Sequence, residues 1–257
     1  MKKKVFFFHD TLVMTQRCLL LSKRNLDTIL TSIILPVLMM TLFVYVFGGA
    51  IHVGNDSYVN CIVPGIILQC IGQCASTTAI ELNEDLHKGI VDRFCTMPMK
   101  SHTVLTAHVL EALLRNMVTA LIVVSVAILI GFRPQAVWTS WLMVFLVLGL
   151  YVTAISWMSV YFGLIAKSAQ GAGALTMLAI ILPYVSSGFV PVDTMPSMLR
   201  VFAQHQPMTP IMDTLRSLML GTPLAQGDMI QALAWCIGLT LLFMLLAIRK
   251  FHNRVHG

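Results

Sequence analysis

Five stretches of this chain, residues 28–51, 58–80, 137–165, 174–190 and 229–248, contain no Asp, Glu, Lys or Arg. A helix of roughly 20 apolar residues crosses about 30 Å of hydrocarbon, so each run is a candidate crossing of a bilayer. A sixth stretch, 106–132, reaches full length only if Glu111 and Arg115 are included. They stand at i and i+4, where they can pair while reaching toward the interface. Charged residues make up 11% of the sequence, against roughly 25% in a soluble domain. These runs leave no room for a separate soluble domain, and the fold class they predict is an all-α polytopic membrane protein of six transmembrane helices.

The net charge of +6 would suit nucleic acid or acidic lipid, so the placement of the basic residues decides its meaning. Lys2, Lys3, Lys4, Arg17, Lys23 and Arg24 crowd the start, and Arg249, Lys250 and Arg254 close the end. No aromatic residues alternate with a basic stripe as a nucleic-acid groove requires, so nucleic acid is not expected as a partner. Placing the N-terminus, the 81–115 region, Lys167 and the C-terminus on one side collects 14 of the 17 Lys and Arg residues. By the positive-inside rule that side is the cytoplasm, with both termini in it and the chain in the cell membrane. No secretory signal is expected ahead of the first run. The cysteines lack zinc or disulfide-framework spacing; Cys70 and Cys74, one helical turn apart, read as packing residues.

Residues 5–25 are apolar but interrupted too often to span, and predict a helix lying at the interface with Arg17 and Arg24 snorkelling to headgroups. Pro36 is a predicted kink in the first run, Trp138 and Trp141 mark an interface belt, and Pro183 falls inside the fifth run. Between the fifth and sixth runs, Arg200, Asp213, Arg216 and several prolines forbid a crossing. Two short helices over 196–204 and 210–220, dipping into the outer leaflet, fit that segment.

The densest internal charge lies in 81–100, ELNEDLHKGIVDRFCTMPMK. Here 90–97 reads as a short amphipathic helix, with Ile90, Val91, Phe94, Cys95 and Met97 on one arc and Asp92, Arg93 and Thr96 on the other. Gly89 precedes it and Pro98 ends it. Glu84, Asp85 and Lys88 pair on a turn that continues the second span beyond the membrane. Such a helix at a cytoplasmic face either lies on lipid or docks in a partner's groove, and a solvated connector remains open as a third reading.

The run EDLHKGIVDRFCTMPM (84–99) resembles the cytoplasmic loop of type-2 ABC exporter permeases of the daunorubicin-resistance-like branch. LPVLMMTLFVYVFGGAI (35–51) resembles that family's first span, and residues 186–221 resemble its fifth-span end and extracellular helices. Gln206 before Pro207 departs from the Asn more usual there. The resemblance implies one transmembrane domain divided as an elbow (1–27, with Arg17 and Arg24), spans 1–2 (28–80), a cytoplasmic coupling loop (81–102), spans 3–5 (103–190), extracellular helices (191–227) and span 6 with a cytoplasmic tail (228–257). ATPase coupling would fall to Glu84, Asp85, Gly89, Ile90, Asp92, Arg93, Phe94 and Pro98. Phe189, Pro191, Pro196, Pro207 and Asp213 would shape the extracellular re-entrant segment. The implied partners are a cytoplasmic ATP-binding subunit, a second copy of the chain as a homodimer, and membrane lipid. No G-x-x-x-x-G-K-[ST] loop occurs, so ATP and Mg belong to the partner and the chain needs no cofactor of its own.

The implied activity is export of a hydrophobic or amphiphilic drug-like compound, with a polysaccharide or lipid-linked glycan as the alternative cargo. A non-transporting scaffold and an intramembrane enzyme are the rival classes. The enzyme reading lacks H-E-x-x-H, G-x-S-x-G or a carboxylate pair within the spans, and keeps only His205 and Asp213 as residues that could meet. No substrate-contacting residue follows from the sequence.

Overall fold

The computed structural model describes residues 7–25, 28, 30–47, 58–95, 102–189 and 195–256. All the regular secondary structure among these residues is helical. Helix α1 (Phe7–Arg24) comes first. A π-helical turn (Leu30–Ile34), α2 (Leu35–Leu42) and a second π-turn (Phe43–Phe47) follow. Then come α3 (Tyr58–His87), α4 (Ile90–Cys95), α5 (Thr103–Ile130), α6 (Trp138–Ile165), α7 (Ala169–Leu175), α8 (Met177–Ile181) with a 3-10 turn (Leu182–Val185), α9 (Ser197–His205), α10 (Met208–Leu220) and α11 (Gln226–His256).

Four of these helices, α3, α5, α6 and α11, are long and apolar enough to cross a membrane, and two shorter apolar stretches, Ser32–Val46 and Ala169–Val185, accompany them. The chain is therefore a multi-pass membrane protein. Helices α3 and α6 are central and mostly buried, whereas α11 turns most of its surface outward. One core joins α2, α3, α6 and α10 around Tyr151, Ile66 and Ile211. A second core lies toward the charged segment, around Leu82, Leu86, Val91, Leu105 and Trp157.

Pro36 sits in the first turn of α2, where the π-turn gives way to α-helix. A residue without an N–H is accommodated at such a junction without a separate break. Residues 29 and 48–51 of the first expected span lie outside the described residues. The fifth expected span differs from a single helix. Thr176 interrupts it with its hydroxyl bonded to the Gly173 carbonyl at 2.7 Å, and Pro183 enters the 3-10 turn. Side-chain bonding to the backbone and a missing N–H both divert a helix from its regular ladder.

Close packing holds the centre together. A Cβ built on Gly163 of α6 would lie 2.8 Å from the carbonyl oxygen of Ala79 in α3, so a side chain there must force the two central helices apart. Alongside, the buried Asn83 side chain donates to the carbonyls of Gly163 and Ala166, each at 2.9 Å, closing the end of α6. Gly163→Val is expected to cost about 1–3 kcal/mol through overpacking, read as a lower melting temperature of the detergent-purified protein; an unchanged melting curve would show that the contact yields freely.

At the opposite end from the charged segment, Arg216 of α10 donates to the carbonyls of Ser187 (2.5 Å) and Cys61 (3.2 Å). Asp213 accepts from Ser187 (2.7 Å) and Arg216 (3.1 Å). Gln206 reaches the Val185 carbonyl at 2.7 Å. Together these bonds clamp α10, the segment after the 3-10 turn, and the first turn of α3. Phe189 is buried between Tyr184 and Phe43, with ring centroids 4.7 and 5.2 Å away. Pro196 and Pro207 stand at the starts of α9 and α10. Pro191 lies outside the described residues.

Candidate functional site

The predicted interfacial helix and the charged segment meet in one place. Helix α1 packs along α5, and α3 continues through Glu81, Glu84 and Asp85 to His87. Lys88 and Gly89 then turn the chain into α4. Gly89 has φ of +65°, a left-handed conformation that a residue with a Cβ adopts only with strain.

Arg17 is the hinge of this junction. Its guanidinium donates to both oxygens of Asp85, at 2.9 and 3.4 Å, a two-pronged match of fork to carboxylate. Its face lies 5.4 Å from the centre of the Phe94 ring, within cation–π range. One side chain of α1 thus holds the end of α3 and the short α4 together. Its pKa is raised by the hydrogen bond it donates to Asp85, so the charge is permanent. The sequence sent Arg17 outward to lipid headgroups with Arg24. Arg24 is exposed, but Arg17 turns inward, because a carboxylate within reach outweighs a solvated headgroup. Cys18 beside it is buried, and burial pushes its thiol up to about 12, so it is not a nucleophile at neutral pH.

On α4, Val91 is buried and Phe94 is half-buried against the second core. The described part of the apolar arc therefore packs largely on the chain itself, while the Cys95 side chain and Met97 lie outside the described residues. Ile90 is half-buried, and Arg93, Glu84 and Lys88 are exposed, with Lys88 paired to Glu84 at 2.7 Å. The outward face is the charged one. The position of the Asp92 side chain and all of Pro98 fall outside what is described.

Behind this junction lies a charge cluster that sequence reasoning placed differently. Glu111 and Arg115 were expected to snorkel to the interface, yet Glu111 is 0% exposed and the Arg115 side chain only 9%. Arg115 Nε lies 3.4 Å from Glu111 Oε1, and its Nη1 lies 3.8 Å from Glu81 Oε1. Arg115 also donates to Thr78 at 2.7 Å. Ser22 of α1 donates to Glu111 at 2.7 Å and lies 3.4 Å from Glu81, and Thr28 lies 3.5 Å from the same Glu81 oxygen. The guanidinium of Arg115 ties α3 to α5 through two carboxylates, and the Ser22 hydroxyl adds α1 to the same cluster. Ser22, Thr28 and His108 had no signal in the sequence; Glu81, Glu111 and Arg115 did, since ionisable residues in apolar surroundings usually face a bundle interior.

The rival pair does not meet as a catalytic couple. His205 Nδ1 lies 2.8 Å from the Val201 carbonyl oxygen, and Asp213 is engaged by Ser187 and Arg216. Among the described residues no three His, Cys, Asp or Glu side chains converge to hold a metal.

Comparison with known proteins bears on what this junction of α1, α3 and α4 serves. The family model described as the ABC-2 type transporter matches residues 9–220. The chain belongs to that family. It is an ABC-2 permease subunit and not itself an ATPase. Among curated proteins, the ABC-2 permease is 28% identical over 247 residues to "Daunorubicin resistance ABC transporter permease protein DrrB1" of Streptomyces coeruleorubidus, covering 95% of this chain and 86% of that one. It is 27% identical over 240 residues to "Probable doxorubicin resistance ABC transporter permease protein DrrC" of Mycobacterium tuberculosis (strain CDC 1551 / Oshkosh), covering 91% and 84%. Membership of the family implies a partner ATP-binding subunit.

Proposed function

We propose that this ABC-2 permease is the membrane-spanning half of an exporter of hydrophobic or amphiphilic compounds. In this reading it crosses the membrane six times with both termini in the cytoplasm, and it pairs with a second copy. A cytoplasmic ATP-binding subunit docks on the segment 84–98. The observation that carries the reading is the Arg17 junction, in which Asp85 and Phe94 are gripped by one side chain of α1. A push on α4 then moves α1 and the long α3 as one piece. Glu84, Arg93 and Lys88 present the charged contact face, and Asp92 belongs to the same segment. Gly89 allows the turn, and the half-buried Ile90 and Phe94 seat the helix. Drug-like cargo is supported by the names of the two relatives, a daunorubicin and a doxorubicin resistance permease.

Inside-out vesicles carrying the permease with the ATPase that co-purifies in mild detergent test this directly. The expected result is ATP-dependent accumulation of daunorubicin. ATPase binding without accumulation of any cargo would replace the exporter by a scaffold, and accumulation of a lipid-linked glycan instead would correct the cargo class.

A further inference from the structure

Between α1, the π-helical turn at Leu30–Ile34 and α5 lies a pocket of about 210 Å³, with Ser22, Ile33, Glu111, Leu114, Arg115 and Val118 among its walls. The geometry points to a binding site for a neutral membrane lipid with a free hydroxyl, such as a monoacylglycerol. Its head bridges Glu111 and Arg115, and its chain leaves past Leu114 and Val118. The site does not depend on which cargo the permease carries.

The polar part of the wall is incomplete by itself. One oxygen of Glu111, Oε1, is engaged: Ser22 donates to it at 2.7 Å, and Arg115 Nε lies 3.4 Å from it. The other, Oε2, is buried and has no hydrogen-bond partner among the described residues. Arg115 spends Nη2 on Thr78, while its buried Nε and Nη1 form ion-pair contacts but no hydrogen bond. These atoms stand together. Oε2 belongs to the same carboxylate as Oε1, which is 3.4 Å from Nε, so an acceptor and two donors without hydrogen bonds meet where the two side chains touch. Buried polar atoms left unpaired are costly, and each calls for a partner.

What completes both side chains must donate to one and accept from the other. A hydroxyl does both. A carboxylate or phosphate head would accept from Arg115 but lie against Glu111, and an ammonium would donate to Glu111 but lie against Arg115, with Lys23 exposed at the rim. The rest of the wall suits a hydrocarbon chain. Beyond Glu111 and Arg115, toward the middle of α5, Leu114 and Val118 stand one turn apart and are 49% and 55% exposed. Leu19 of α1 and Ile33 of the π-turn, both half-buried, line the same pocket. A polar end near the charged segment followed by an apolar run into the membrane is the order of groups along a lipid in a leaflet. The volume falls below the several hundred Å³ of a drug-sized pocket, so the head and first carbons enter and the remaining chain stays in the bilayer. A π-turn, a form frequent at functional sites, carries Ser32 and Ile33 on this wall.

Photolabelling of the full chain in phosphatidylcholine nanodiscs, with a monoacylglycerol that bears a diazirine early in its chain, tests the site without ATP. Mass spectrometry is expected to find the label within 19–33 and 111–119. Excess monooleoylglycerol or oleyl alcohol should suppress it, whereas oleate and methyl oleate, which only accept, and oleylamine, which as an ammonium only donates, should not. Glu111→Gln is expected to raise the concentration for half-maximal labelling at least about tenfold, as loss of a hydrogen bond to a charged group does. Val118→Trp, at an exposed position beside the mouth, should raise it as well while the protein stays folded, so the test does not hang on the yield of Glu111→Gln. Competition by oleate or oleylamine equal to that by oleyl alcohol overturns the proposal, and so does labelling of these segments that is unchanged in Val118→Trp or in folded Glu111→Gln.

Discussion

Exchange of Arg115 for leucine is expected to leave little or no folded permease. Arg115 is the shared counter-charge of Glu81 and Glu111 and the donor to Thr78. Its removal leaves the fully buried Glu111 and the partly buried Glu81 without their counter-charge. Breaking a buried ion pair by removing one partner costs about 3–5 kcal/mol, a large part of the roughly 5–15 kcal/mol that holds a typical protein folded. The measure is the yield of monodisperse protein in mild detergent together with its melting temperature. Glu81→Gln should do far less harm, because it brings one carboxylate against one guanidinium. If Arg115→Leu melted like the parent protein, the carboxylates would have to stand protonated and need no cation.

The double substitution of Arg93 by glutamate and Phe94 by aspartate is expected to uncouple the permease from its ATPase. Arg93 reverses sign on the exposed face of α4, and Phe94 loses its stacking beneath Arg17. Truncating a dominant interface residue costs upward of about 2 kcal/mol, or some thirtyfold in affinity. The ATPase should no longer co-purify and ATP-driven accumulation should stop. The permease itself should remain folded, because neither position belongs to the fully buried core. Intact export and ATPase stimulation in the double variant would show that the subunits meet elsewhere.

Much of the helical plan is legible in the sequence, because exclusion of charge over some twenty residues is a local property. The run from 58 carries directly into α3, and 137–165 into α6. The short helices expected over 196–204 and 210–220 are α9 and α10, with α10 beginning two residues earlier, at Met208. What could not be read is who faces whom. Glu81 and Asp85 extend α3 past the end of the apolar run because partners from α1 and α5 receive them, and no pattern within α3 reveals those neighbours. Arg17 likewise looked like a headgroup residue until Asp85 was found beside it. The break in the fifth run was only half visible: Pro183 announced it, but the return of the Thr176 hydroxyl onto the Gly173 carbonyl depends on a local choice of hydrogen bond that composition does not record.

Helix α3 has 30 residues, about 45 Å of continuous rod at the usual rise. Near its far end it carries Pro64, whose ring removes the bond that would tie position 64 to Asn60. Beyond that joint lies Cys61, whose carbonyl is held by Arg216. A stiff shaft with one compliant joint just before a fixed anchor turns a lengthwise shove into a sideways swing. Work done on the turn at Lys88 and Gly89 would thus emerge on the opposite side of the bilayer as a change of angle, concentrated where Ser187, Asp213 and Arg216 meet.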